Sequence, residues 1–477
     1  MKKLCVITLF IILFATPLVT QVEELTLSDC IQLALENNKE LQKARAEVEK
    51  MKQEYNNVRG SLLPQISLNA GYQLSQSHLP NSAVMDIPSL SDIIYGTEDL
   101  TGIPTSNDSL EIYNDQIIAG YMDGAFADFV PSKLQKEAAA FAQVKLDQVV
   151  FMGGKLIKGI SIAGKIKTMQ QKNYFLVQQD VVYTTKDMFY KVLLLKKVVY
   201  IQKEAIDLAL QYQQQVQNMF EQDLVSEYDL LRAKLQTANL KPEVIQAENN
   251  YALLLESFKN HLGVDDEEIE FSGEFLFPEV RSMSLEEAIQ IGKKDRIELD
   301  LASINIEINE VALSIQKGSF LPNIFLSAEY QKYAGSSGRY KITYNDIGDT
   351  YQVGVGLSMP LFTGFSNTAK IAKARQDLKM AKLSFLQLEE GIELDIKNTY
   401  LTFKNAKLKV ESQKQNVKLA EKGLAIAQAR YENQVAVQLE VLDAQVQLKS
   451  VRLNHLQALY DAIISYEQLK KAIGIQL

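Results

Sequence analysis

The sequence is poor in the residues that crosslink a protein or ligate metals. It has two cysteines, three histidines and no tryptophan among 477 residues. Cys5 lies in an apolar N-terminal segment, so Cys30 is the only cysteine in the rest of the chain and no disulfide can form there. His78, His261 and His455 have no spacing typical of a zinc site or a Ser-His-Asp triad. We therefore expect no metal, no cofactor and no enzymatic activity.

The N-terminus has the pattern of a secretory signal peptide. Two lysines precede an uncharged apolar run from Leu4 to Ala15, which is too short to span a bilayer. We predict a signal peptide over residues 1–20, with cleavage just before Gln21. Cys5 has no small-residue lipobox before it, so no lipid anchor is predicted. No other segment has the ~20 apolar residues that a membrane helix needs.

The chain has a net charge of −9, which becomes −11 when Lys2 and Lys3 are removed. Nucleic acids attract basic surfaces, so this balance argues against a nucleic-acid partner.

An internal duplication is the most informative feature of the sequence. The segment from Ser61 to Gln73 matches the segment from Ser319 to Gln331 at an offset of 258 residues. A second block, at Phe151-Met152-Gly153 and Phe362-Thr363-Gly364, repeats at an offset of 211. The two offsets differ because of one insertion in the first half. We predict a first repeat over 21–263, a linker over 264–282 and a second repeat over 283–477.

Each repeat opens with a helix-capping pattern. Ser284 and Glu287 form a full capping box, and Thr26 and Asp29 form a weaker version. Proline ends the helical pattern at Pro64 and at Pro322, because proline disfavours helix in the residue before it.

After each proline, apolar and polar residues alternate with period two, as in a strand with one apolar face. In the first and last of four such segments this face carries Ile66, Leu68, Ala70, Tyr72 and Leu74, and Tyr351, Val353, Val355, Leu357 and Met359. The other two strands are predicted near 140–150 and 323–333. Each is about ten residues long, enough to cross a bilayer in a barrel, but four strands cannot close one. The sheet is therefore either soluble or completed by further copies of the chain.

Two long helices are predicted, over 155–220 and 366–432. In the second, apolar residues recur every seven positions from Ile371 to Ile392 and from Ile396 to Tyr431, the heptad pattern of a left-handed coiled coil. Each helix would be roughly 100 Å long. The paired segments 28–60 with 226–261, and 284–318 with 437–473, each add up to about the same length as one long helix. We interpret each pair as lying end to end beside one long helix; a dimeric coiled coil is the simpler alternative.

These features make the chain resemble the TolC family of outer-membrane factors over essentially its whole mature length. The resemblance rests on the opening helix from Leu27 to Asn38, the Leu-Pro pairs before the strands, and the segment from Met359 to Gly364. It implies a mixed, mainly α fold in which long coiled-coil hairpins form a periplasmic α-barrel. Each chain would contribute four strands to an oligomeric transmembrane β-barrel.

The resemblance also implies the partners. A homotrimer would stand in outer-membrane lipid and extend into the periplasm, where it would meet an adaptor protein and an inner-membrane pump of the RND or ABC type. The chain would be the passive outer-membrane channel of a tripartite efflux or type I secretion system. A non-conducting coiled-coil tether of the envelope is the alternative function.

The resemblance places two adaptor-contact turns after the long helices. Their residues are Asp223, Leu224, Val225 and Ser226 in the first, and Gln434, Val435, Ala436 and Val437 in the second. Family members usually have glycine where this chain has Asp223 and Gln434.

Two pairs of residues resemble the gate of the family. Glu440 and Asp443 lie one helical turn apart, and three copies would form two acidic rings that attract cations; a solvated helix face is the alternative. Asp229 and Tyr431 resemble a latch pair, although Ala436 stands where the family has an arginine. Tyr431 also continues the heptad stripe, so a core role is the alternative.

The insertion predicts an external loop over 76–138, which is rich in acids and has no lysine or arginine between Gln76 and Ser132. It would carry a lid or a binding surface, or be simply solvated.

Overall fold

A computed structural model describes residues 23–75, 137–264, 269–273, 275, 277, 283–337, 341–433 and 435–475. The predicted signal peptide and most of the predicted external loop lie outside these residues. The chain divides into a helical unit and a strand unit; the strand unit comprises Arg59–Leu156 and Gly318–Thr363.

The helical unit contains two long helices, each followed by a return helix. In the first repeat these are α3 (Lys155–Phe220) and α4 (Glu227–Leu262). In the second they are α7 (Ser366–Glu432) and α8 (Gln438–Ala472). The predicted limits of both long helices are confirmed. In α7 they follow from the heptad spacing of apolar residues, and in α3 from its match to α7 in the duplication.

The opening helix of each repeat is broken, which the sequence analysis did not predict. The first repeat has α1 (Leu27–Asn37) and α2 (Lys39–Gly60), and the second has α5 (Leu285–Asp295) and α6 (Ile297–Lys317). The continuous helices predicted over 28–60 and 284–318 are therefore wrong at Asn38 and Arg296, whose backbones are extended. The side chain of Asn38 caps α2, since its Oδ1 accepts from the amides of Glu40 (2.9 Å) and Leu41 (3.2 Å).

The capping box of the first repeat is more complete than that of the second, which is the opposite of the prediction. The Oγ1 of Thr26 accepts from the amide of Asp29 (3.4 Å), and the Asp29 carboxylate accepts from the Thr26 amide (2.9 Å), so this box is reciprocal. At Ser284 the described bond runs one way, from the Glu287 amide to the serine Oγ (3.1 Å). The shorter aspartate reaches back to the first amide, which residue type alone does not reveal.

A glycine with positive φ follows each return helix and packs against the break in the opening helix. Gly263 has φ +70°, and a Cβ there would lie 2.9 Å from the carbonyl oxygen of Asn37. Gly474 has φ +76°, and a Cβ there would lie 2.8 Å from that of Asp295. Only glycine fits both the backbone conformation and the close approach.

The larger core of the helical unit is formed mainly by the first repeat, and Ile463 of α8 joins it from the second. Cys30, Phe189, Phe258 and Leu262 pack there around Phe271, and the rings of Phe258 and Phe271 are 4.8 Å apart. Phe271 lies on β4 (Ile269–Phe271), a strand within the predicted linker, which pairs in parallel with β1 (Glu23–Leu25). Burial of these rings is the main stabilising contribution of this core.

The strand unit is one antiparallel sheet. It consists of β2 (Gln65–Ser75), β3 (Glu137–Met152), β5 (Asn323–Ser337) and β6 (Ile347–Ser358), in the order β2-β3-β5-β6. The strands of the first and second repeats are adjacent at β3 and β5, with a register shift between Val149 and Phe151. The predicted loop over 76–138 extends two residues too far, since β3 begins at Glu137. The edge strands are β2 and β6.

Candidate functional site at the two interhelical turns

The first turn joins α3 to α4 and contains Asp223 in the left-handed region. Its φ is +55°, and its amide donates to the carbonyl oxygen of Phe220 (3.0 Å), while the amide of Leu224 donates to that of Met219 (2.9 Å). A β-carbon is unfavourable in this conformation, although aspartate tolerates it better than most residues. The backbone that favours glycine is therefore present at Asp223.

The rest of the first turn is anchored in two ways. Val225 packs against a small core of Val216, Leu230 and Ala233. Ser226 and Asp229 form a reciprocal capping box: the Asp229 amide donates to the serine Oγ (3.2 Å), and the Ser226 amide donates to the Asp229 carboxylate (3.2 Å). The serine hydroxyl also donates to this carboxylate (2.6 Å). The carboxylate of Asp229 is therefore engaged within its own helix.

Backbone hydrogen bonds also close the second turn. The amides of Val435 and Ala436 both donate to the carbonyl oxygen of Arg430, at 2.9 and 3.2 Å. Val437 occupies the N-cap position of α8 and makes no side-chain cap bond. The predicted contact residue Gln434 lies outside the described residues.

The structure brings Glu440 and Asp443 into one groove between α7 and α8, with a volume of about 750 Å³. Arg430 lines the same groove and forms an ion pair with Glu440, its Nη1 lying 3.1 Å from the Glu440 Oε2. The sequence analysis missed Arg430. The available signal was a basic side chain in the last turn of the long helix, within reach of an acid in the first turn of the next.

Asp229 and Tyr431 are not hydrogen-bonded to each other in the part of the chain that the structure describes. Both act on Tyr212 of α3: burial raises the pKa of its phenol, and the charges of Tyr431 and Asp229 raise that pKa further. The charge of Arg232 lowers the pKa of Tyr212. Tyr212 and Arg232 are therefore neighbours of the predicted latch pair that the sequence analysis missed, because their spacing from Asp229 does not distinguish them from ordinary helix residues.

The described residues contain no group of side chains suited to hold a metal ion. None of the helices in the described segments is apolar enough, over a sufficient length, to cross a membrane.

The sequence model of one protein family, "Outer membrane efflux protein", matches residues 30–109 and 295–475, which are more than half of the chain. The chain belongs to the outer membrane efflux protein family. The matched ranges include the second turn with Glu440 and Asp443, whereas the first turn lies between them.

Individual relatives agree with this membership of the outer membrane efflux protein family. The outer membrane protein TolC of Vibrio cholerae serotype O1 is 24% identical, over 99% of this chain and 96% of that protein. TolC of Escherichia coli K12 is 21% identical, over 99% of this chain and 87% of that protein. The predicted resemblance to TolC-like proteins is confirmed.

Solved structures of outer-membrane proteins have the same fold. The CmeC outer membrane channel of Campylobacter jejuni superimposes with a TM-score of 0.71 at 15% identity, covering 94% of this chain and 86% of that one. VceC of Vibrio cholerae superimposes with a TM-score of 0.68 at 15% identity, covering 94% and 96%. The predicted mainly α fold with tandem repeats is thereby confirmed.

Proposed function

We propose that this chain is the outer-membrane channel of a tripartite efflux or type I secretion system. It would conduct substrates passively from a periplasmic adaptor and an inner-membrane pump to the exterior. The energy would come from the pump, of the RND or ABC type, and no step would be enzymatic. The observation that carries this proposal is the apolar face of the four-stranded sheet.

That apolar face is exposed in the single chain. Leu68, Val144, Tyr330 and Tyr351 form one continuous row across all four strands, and Leu68 and Tyr351 are 72% and 81% exposed. One residue further along β2, the neighbouring row points to the opposite face and is polar. It contains Asn69, Gln143, Gln331 and Thr350. An apolar face of this extent requires an apolar environment, and lipid supplies one for a strand with a polar lumen side.

The two edge strands support assembly from several copies. Within the described residues, β2 and β6 each pair on one side only, and unpaired edges are excluded from the interior of a bilayer. Because β2 and β6 run in opposite directions, β6 of one copy matches β2 of the next as an antiparallel pair. Three copies would close twelve strands, which is the homotrimer that the resemblance implies.

The two interhelical turns are the proposed periplasmic end. Contacts to the adaptor are assigned to Asp223, Leu224, Val225 and Ser226, and to Gln434, Val435, Ala436 and Val437. Glu440 and Asp443 are assigned to acidic rings at the entrance, supported by their shared groove. Asp229 and Tyr431 are assigned to the latch, through their common neighbour Tyr212.

We further propose export by a signal peptide over residues 1–20, without a lipid anchor. The repeat limits 21–263 and 283–477 are retained as the units of duplication.

The first experiment is to extract the protein from the outer-membrane fraction with detergent and to measure its mass by light scattering and its shape by negative-stain imaging. A threefold, rod-like particle with a central channel is expected. If the protein is instead released from the cells without detergent, as a monomer or dimer, the proposal is overturned and the non-conducting tether is favoured.

A further inference from the structure

Arg430 is held at both of its ends in the second interhelical turn. Its carbonyl oxygen accepts the amides of Val435 and Ala436, so its backbone position is fixed by the turn. Its guanidinium reaches across to α8, where it lies 3.1 Å from the carboxylate of Glu440. The side chain is therefore directed at one of the two proposed entrance acids.

The duplication explains why Glu440 takes a partner on another helix. Glu440 matches Asp229 at the offset of 211, and Val437 matches Ser226. In the first repeat Ser226 binds the carboxylate of Asp229 with its hydroxyl. Val437 has no hydroxyl and makes no side-chain cap bond. The Glu440 carboxylate therefore lacks this partner, and in the described residues it pairs with Arg430.

We propose that Arg430 is a selectivity-determining residue of the channel entrance, which offsets the charge of Glu440 and so sets how strongly cations are preferred. This inference rests on the proposed function, in which Glu440 and Asp443 face the entrance. The two acids alone would give each chain a charge of −2 in the groove, and Arg430 reduces it to −1. The net entrance charge then equals that of a single acidic ring.

The effect depends on the proximity of charges rather than on the strength of the pair. The side chains of Arg430 and Glu440 are 51% and 41% exposed, and such pairs contribute little to stability. An ion in the groove nevertheless senses all three charges, because they lie within the Debye length of about 10 Å at 0.1 M salt. At 1 M salt this length falls to about 3 Å, so the effect should become smaller.

A purely structural role for Arg430 makes a different prediction. If the side chain only supported the turn, lysine and glutamine would each disturb the pore in their own way, and charge would not order the results. If charge matters, R430K should resemble the wild type and R430Q should not. The double variant R430Q/E440Q has the same net charge as the wild type and should recover its selectivity.

The test is the reversal potential of single channels in planar bilayers under a KCl gradient, after each variant has been shown to form the same oligomer. R430Q should raise the ratio of K⁺ to Cl⁻ permeability by about twofold or more at 0.1 M salt. E440Q should lower the ratio, and R430Q/E440Q should return it to the wild-type value. R375Q is the matched control, since Arg375 is an exposed arginine of α7 about 80 Å from Arg430 along the helix.

A further variant tests the charge after assembly. R430C channels can be treated in the bilayer with a cationic or an anionic methanethiosulfonate reagent, while Cys30 remains buried. The cationic reagent should restore the wild-type ratio, and the anionic reagent should raise it further. An R430Q ratio equal to that of the wild type, or an equal shift in R375Q, would overturn the role of Arg430. A wild type that does not conduct would instead overturn the proposed function.

Discussion

Asn38 and Arg296 stand at equivalent positions of the two repeats, and each donates a 2.9 Å hydrogen bond to the last turn of the return helix. The Nδ2 of Asn38 donates to the carbonyl oxygen of His261, and the Nη1 of Arg296 donates to that of Ala472. The acceptors are themselves equivalent, at the offset of 211. A neutral amide and a guanidinium thus join the break in the opening helix to the return helix in the same place.

Arg296 should contribute more to stability than Asn38. It also donates to the carboxylates of Asp395 (3.0 Å) and Glu298 (3.1 Å), and hydrogen bonds to charged groups are worth about 1.5–3 kcal/mol each. We expect R296A to destabilise its surroundings by about 2 kcal/mol or more, and N38A, which loses a cap, by about 1 kcal/mol. Hydrogen exchange of the detergent-extracted protein measures both; equal effects would contradict this ranking.

His261 should make the first repeat sensitive to acid. Thr185 donates to the carbonyl oxygen of Val181 (2.7 Å), so its hydroxyl accepts from the His261 Nε2 (3.0 Å). The Nδ1 lies 3.4 Å from the side-chain nitrogen of Asn38. Burial lowers the pKa of this imidazole, while a hydrogen bond between the His261 ring and the backbone of Val181, and the charge of Glu40, raise it by a smaller amount.

Because the pKa of His261 is lower in the folded state, protonation favours unfolding. The stabilising contribution is present above about pH 6.5, the value for a free histidine, and is lost as the pH falls below it. Thermal midpoints measured at pH 7.5 and 5.5 should decrease more for the wild type than for H261Q. Similar decreases in both proteins would show that groups other than His261 dominate the pH dependence of stability.

Cys30 should be inert to thiol reagents in the folded protein. It is fully buried, and burial, with a smaller effect of Asp29, raises the pKa of its thiol to about 12. Since the thiolate is the reactive form, maleimide should label Cys30 only after denaturation, whereas K373C, on the exposed surface of α7, should react at once. The thiol ionises near pH 8.5 when unfolded, so the folded state should lose stability as the pH rises above that value.

The sequence predicts the elements of this fold better than their interruptions. The limits of α7 follow from a heptad pattern that the helix carries along its own length, and those of α3 follow from its match to α7 in the duplication. The breaks at Asn38 and Arg296 depend on a carbonyl group on another helix, which in the first repeat is 223 residues away, and local pattern contains no trace of it. The partner of Arg430 also lies on another helix, but it is near in sequence: a basic residue in the last turn of α7 and an acid in the first turn of α8 were a readable signal.

Asp223 should be replaceable by glycine with a gain in stability. Its φ of +55° disfavours any residue with a β-carbon, and relief of this strain should stabilise the turn by about 0.5–1 kcal/mol. D223A keeps the β-carbon and loses the polar side chain that tolerates this conformation, so it should destabilise the turn. Hydrogen exchange at residues 222–224 should slow in D223G and accelerate in D223A; acceleration in both would show that the carboxylate makes the larger contribution.

Val353 and Gln352 test whether the apolar face of the sheet meets lipid. They are neighbours in the middle of β6, so their side chains point to opposite faces, and Val353 is 71% exposed. On a soluble sheet, lysine at either position would remain in water and cost little. In a membrane barrel, lysine on the lipid face near the midplane costs about 2–4 kcal/mol, whereas lysine in the lumen does not. V353K should therefore reduce the amount of heat-resistant oligomer in the outer-membrane fraction, and Q352K should leave it near the wild-type level. Equal recovery of both variants would mean that the apolar face does not contact lipid, because water tolerates both lysines alike.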